Sequence, residues 1–147
     1  MVELIVILIV ISVLAIFVGG RISNSAMQTR AFADELRSQV QFARKVAVAQ
    51  RRRVCVHVGP SESQLYYSNA AGDACPGADA VAGPTGTAPF TVAVPAGTSV
   101  TAVTFQFDAL GRQRSAAGTP AATALLLNVS GDGSYQLSIQ PETGYVQ

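Results

Sequence analysis

The sequence predicts an α+β protein in which one long N-terminal helix lies on an antiparallel β-sheet. Three observations carry this. Residues 21–53 contain neither proline nor glycine and place apolar side chains at steps of three and four. From residue 54 onward, short alternating segments are separated by turn-forming residues. Residues 4–18 carry no charge, and Ser12 is their only polar side chain.

The apolar run comes first. Counted from Met1 to Val18 it is barely long enough for a spanning helix, which needs ~20 residues and at least ~17. We read residues 1–20 as a retained membrane segment. A cleaved signal peptide would want a basic start and a small-residue cleavage site. No Lys or Arg precedes Arg21, and Phe17-Val18-Gly19-Gly20-Arg21 is a poor site of that kind. Glu3 is the anomaly, because a carboxylate in or beside hydrocarbon costs a few kcal/mol unless it is paired. The alternative is a glutamate resting at the membrane–water interface.

Residues 21–53 form the amphipathic half of the helix. Ile22, Ala26, Thr29, Ala33, Leu36, Val40, Ala43 and Ala47 fall on one stripe, and its alanines allow close approach of a sheet. Gly19-Gly20 mark the place where the helix is easiest to bend. The arginine run 51–53 ends the helix, where cations suit the dipole.

Residues 54–147 read as the β domain. Val54, Val56 and Val58 alternate with Cys55 and His57 and stop at Gly59-Pro60. Residues 64–68 form a partner strand, and residues 69–88, rich in Ala, Gly, Pro, Asp and Thr, form a loop. Residues 90–94 make a short strand. Residues 100–107 make another, with Thr101, Val103, Phe105 and Phe107 on one face. Leu125, Leu127 and Val129 face Tyr135, Leu137 and Ile139 across the turn at residues 130–134, a hairpin.

Composition excludes several classes. The 147 residues suit one ordinary domain, and 49% hydrophobic with 13% charged residues is not a disordered chain. Two cysteines and one histidine cannot close a four-ligand zinc site, and no metal or other cofactor is expected. The net charge of +1 is uneven: residues 1–53 carry +5 and residues 54–147 carry −4. No catalytic constellation is visible, since any histidine-based site rests on His57 with no acid placed beside it. There is no P-loop and no G-x-G-x-x-G. The chain reads as a non-enzyme.

Three groups remain as candidate sites. A bridge between Cys55 and Cys75 would close a loop of about 20 residues, worth up to ~3 kcal/mol, in an oxidising compartment such as the periplasm. The alternative is two free thiols. Cys55 and His57 share a strand face, but no third metal ligand is evident. Gly111-Arg112-Gln113-Arg114 holds the only two cations of the β domain, which fit either a solvated turn or a fork onto phosphates. Orientation is contested. Arg21, Arg30 and Arg37 would draw the β domain into the cytoplasm, while a disulfide requires the opposite side.

An apolar segment with one glutamate near its start, running into a long helix and then a sheet, resembles type IV pilins and the pseudopilins of type II secretion. Val2-Glu3-Leu4-Ile5-Val6 matches the core of their N-terminal motif. Ala33-Asp34-Glu35-Leu36-Arg37, Ala43-Arg44, Ala47-Val48 and Val54-Cys55-Val56 look like the GspH/FimT branch of minor pilins. So do Phe107-Asp108-Ala109-Leu110-Gly111-Arg112 and Glu142-Thr143-Gly144-Tyr145-Val146. The cysteine pair and this ending are most similar to minor pilins of the mannose-sensitive haemagglutinin (MSHA) pilus.

The resemblance implies a type IV pilin-like fold and a subunit that primes or caps a type IV pilus or a pseudopilus. It makes residues 1–20 the filament-core half of the helix and gives Glu3 the neutralisation of a neighbouring subunit's terminal amine. It implies a single-pass inner-membrane protein with a periplasmic C-terminal domain, joined in a filament by other pilins. It also implies a basic leader, removed by a prepilin peptidase, and N-methylation. The family glutamate is fifth in the mature chain and here it is third, so a start placed too late within the reading frame is expected. An upstream basic leader would settle the orientation. Some members of the branch bind DNA through a GRxR motif in the C-terminal tail; here GRQR stands at residues 111–114 instead. A DNA-binding minor pilin and a signal-anchored periplasmic protein are therefore the alternatives.

Overall fold

The computed structural model describes residues 3–7, 11, 24–68, 75 and 79–147. Most of the apolar segment, the Gly19-Gly20 junction, Ile22 and the side chain of Ala26 lie outside these. Residues 3–7 and 11 are helical and exposed. No helix among the described residues is long and apolar enough to cross a membrane.

Helix α1 spans Asn24–Gln50. Thr29, Ala33, Leu36, Val40, Ala43 and Ala47 are all buried, as the stripe requires. Phe32 and Gln39, seven residues apart, widen that face. Gln39 Nε2 donates to the Ser63 and Phe90 carbonyls at 3.1 and 2.9 Å, tying the helix to one side of the sheet. The helix ends because Arg51 turns left-handed at φ 50°. The Arg51 amide then bonds to the Val48 carbonyl and the Arg52 amide to that of Ala47. This is a Schellman stop built without its usual glycine.

Eight strands follow among the described residues: β1 Val54–Val58, β2 Glu62–Tyr67, β3 Thr91–Ala93, β4 Ser99–Val100, β5 Val103–Phe107, β6 Gln113–Ser115, β7 Leu125–Ser130 and β8 Ser134–Ile139. They form two antiparallel sheets, ordered β3-β2-β1-β5-β6 and β4-β7-β8. Register puts Val56 between Leu65 and Phe105, so one apolar row faces the helix. Leu127, Val129, Leu137 and Ile139 complete the core from the second sheet. Alternation explains both faces, because a one-residue slip would turn every valine of β1 away from the helix.

One reading needs correction. The single strand expected over residues 100–107 is two strands in different sheets. The chain crosses over at residues 101–102, where the Thr101 amide bonds to the Asn128 carbonyl. Thr101 is therefore exposed and does not join Phe105 and Phe107 in the core. The described residues from 79 to 88 belong to no strand, yet they are tied to the sheet. The Tyr67 amide bonds to the Asp79 carbonyl, Ala80 bridges to Tyr66, and Val81 is fully buried.

The C-terminal tail closes an edge. Ile139 pairs with Val146, and Ser138 exchanges two backbone bonds with Gln147 at 2.9 and 3.0 Å. The outer edge of β8 thus offers no open ladder to another chain along this stretch.

Candidate functional site

The turn between β5 and β6 is built on Asp108, whose side chain is only 9% exposed. Oδ1 accepts the Leu110 and Arg112 amides, both at 2.9 Å. Oδ2 accepts Arg112 Nε at 2.9 Å and Arg114 through Nε and a terminal nitrogen at 3.0 and 2.9 Å. Burial by itself would raise the carboxyl pKa. The Arg112 amide, the Arg114 and Arg112 guanidiniums and the Leu110 amide outweigh it and hold the pKa below the ordinary aspartate value. One buried carboxylate therefore fixes the backbone of the turn and both cations of the β domain.

Two glycines let this turn meet the tail. Gly111 at φ 77° lies against Val48 and Arg44, and Gly144 at φ 60° lies against the Gly111 carbonyl, Phe107 and Arg44. A Cβ on Gly144 would overlap that carbonyl. Arg44 Nε reaches the same carbonyl at 3.4 Å. The stretches 107–112 and 142–146, far apart in sequence, thus close on the last turns of α1.

Residues 33–143 match the family described as Type II transport protein GspH. The chain belongs to the GspH family. Two crystal structures of the type IV minor pilin FimU from Pseudomonas aeruginosa (strain PAO1) share the fold at 20% identity, with TM-scores of 0.54 and 0.57. The matches cover 80% and 83% of this chain and 90% and 88% of those chains. No curated protein matches the chain.

Within the GspH chain, the other sequence candidates are placed as follows. Cys55 and Cys75 form a disulfide that spans 20 residues, and the Cys75 amide bonds to the Ala116 carbonyl. Cys55 is buried on the sheet face opposite the helix, so the bridge pins Cys75 over the middle strand. Changing both cysteines to alanine should lower the unfolding free energy by about 2 to 3 kcal/mol in urea, and reduction of the unaltered chain should match it. His57 is exposed, with Nδ1 and Thr104 Oγ1 2.8 Å apart. Among the described residues, no three His, Cys, Asp or Glu side chains gather for a metal. Glu3 lies on an exposed helical stretch.

Arg112 and Arg114 line a cleft of about 220 Å³ with Gln113, Pro120, Pro141 and Glu142. Their side chains are 38% and 15% exposed, and both are already engaged by Asp108. The anchor of this site, Asp108, was missed as a functional residue in the sequence. The signal was present, since an aspartate accepting amides two and four residues on is an Asx-type turn.

Proposed function

We propose that this GspH-family chain is a minor pilin or pseudopilin that primes or caps a periplasmic filament. One observation carries the reading: a GspH-type β domain sits on a helix preceded by an apolar segment bearing Glu3. The segment would hold the chain in the bacterial inner membrane as a single pass and enter the filament core on assembly. Glu3 would pair there with the terminal amine of an adjoining subunit, which offsets its cost in lipid. The disulfide supports a periplasmic β domain. Prepilin peptidase and N-methylation belong to the same reading. Service in an MSHA pilus rests on the cysteine pair and the Glu142–Val146 ending.

The test is Glu3→Ala in the full chain, produced in cells that carry the filament machinery. Recovery in sheared filaments should fall at least tenfold while the membrane-bound amount holds steady. Unchanged recovery overturns the reading and favours a plain anchored protein with no need of a pilus machine. DNA binding through Arg112 and Arg114 is a second reading with less support, because Asp108 already offsets their charge and holds Arg112 Nε and two Arg114 nitrogens. It requires that changing both to alanine weaken DNA binding and flatten its salt dependence.

A further inference from the structure

Helix α1 carries most of its cations on one flank. Arg30, Arg37 and Arg44 recur every seven residues, a step of ~10.5 Å along the axis with only ~20° of drift per step. Gln41 stands four residues after Arg37, and Lys45 four after Gln41, so both broaden the same strip. Arg30 and Lys45 are exposed, while Arg37 and Arg44 are half-buried. None of the four cations forms an ion pair among the described residues. Arg44 donates Nε to the Gly111 carbonyl at 3.4 Å and shares a cleft of about 230 Å³ with Gln41, Lys45 and Tyr145. Arg37 Nε is buried and has no acceptor. A guanidinium held partly out of water without a counter-charge gains more from an incoming carboxylate than a fully hydrated one does.

One acid interrupts the strip. Asp34 lies four residues after Arg30 and three before Arg37. Glu35 falls on the far side of the exposed face by helical periodicity. The strip is therefore a pattern and not a uniform field, and the pattern selects the partner. Duplex DNA presents an unbroken line of one negative charge per ~1.7 Å, which Asp34 opposes. A second copy cannot answer the strip either. Its α1 holds Asp34 and Glu35 as its only acids, and two adjacent acids cannot meet three arginines at any stagger. A helix with carboxylates at seven-residue intervals, and a cation opposite Asp34, meets every position at once.

We infer that the Arg30–Arg37–Arg44 strip docks a parallel helix of a different membrane-anchored subunit, one that carries carboxylates at seven-residue intervals. The inference deepens the filament reading and rests on it, because chains rising from one membrane lie with their helices side by side and parallel. A strip that no copy of itself can answer also suits a subunit that primes or caps, since such a subunit must not repeat along the filament.

The test places the full chain in lipid vesicles with a synthetic lipid-tethered helix that has Glu at every seventh position and Lys opposite Asp34. Energy transfer between dyes on the two reads binding. The patterned helix should bind about tenfold more tightly than a helix of the same composition with its charges scattered over all faces. Arg30→Glu with Arg37→Glu should reverse the preference. The glutamate helix is then lost and a helix with Lys at those positions binds instead, which a misfolded variant cannot do. Equal binding of patterned and scattered helices, or binding of neither, overturns the contact. So does tighter binding of duplex DNA than of the patterned helix, or energy transfer between two copies of the chain as strong as that to the helix. Absence of binding with Glu3-dependent filament recovery intact sinks the contact and leaves the filament reading standing. Patterned binding without that dependence does the reverse.

Discussion

Asp108→Asn is expected to lower the unfolding free energy of the full chain by about 4 kcal/mol at pH 7. The amide oxygen of asparagine can still accept one or two of the backbone amides. It cannot neutralise two guanidiniums, and Arg114 is left 15% exposed with its counter-charge gone. Removing one member of a buried, hydrogen-bonded charge cluster is among the few single changes that cost this much. The pH dependence follows from the sign of the shift. The carboxyl pKa is lower in the folded protein than in the unfolded chain. Its stabilisation is therefore complete above the unfolded value, near pH 4, and fades as the pH falls through the folded value. Urea unfolding should show a gap of about 4 kcal/mol between unaltered and Asp108→Asn chains at pH 7, shrinking steadily below about pH 4. A gap that stays constant through the acid limb would mean that the loss came from packing and not from charge.

The two halves of the fold were unequally legible. The stripe from Thr29 to Ala47 could be read because 3.6-residue periodicity depends only on the chain's own helix. Period-two alternation likewise fixed the faces of Val54–Val58 and of the β7–β8 hairpin, whose partners lie next to each other in sequence. The break at residues 101–102 was hidden because β4 and β5 are almost contiguous and both alternate acceptably. Only their partners, β7 and β1, separate them. Gln39 reads as a polar residue on the helix surface until Ser63 and Phe90, distant in sequence, supply its acceptors. The arginines of residues 111–114 were visible as charges. Their tie to Asp108 depends on a turn that brings Oδ2 within 3.0 Å of both guanidiniums, and no count of charges reports that.

Gly144→Ala is expected to cost about 4 kcal/mol, far more than a left-handed glycine usually implies. The backbone conformation alone accounts for ~1–2 kcal/mol when an alanine is forced to positive φ. The remainder is contact. The new Cβ would overlap the Gly111 carbonyl and press on Phe107 Cε1 at 3.0 Å and Arg44 Cδ at 3.2 Å. Arg44 has a flexible side chain and can yield, but the Gly111 carbonyl is backbone. Its turn is held by Asp108, and the Gly144 amide is itself bonded to the Gln140 carbonyl at 2.8 Å. Neither side can move without breaking a hydrogen bond, so the tail must lift from α1 or the turn must open. Gly97→Ala provides the control, because Gly97 sits at φ 81° with nothing within 4 Å of a built Cβ. That variant should lose about 1 kcal/mol, the conformational part alone. Urea midpoints of the two variants, measured side by side, separate strain from contact. Equal losses would show that the turn and the tail are not pressed together, and Tyr145 would then lose its fixed place beside Lys45.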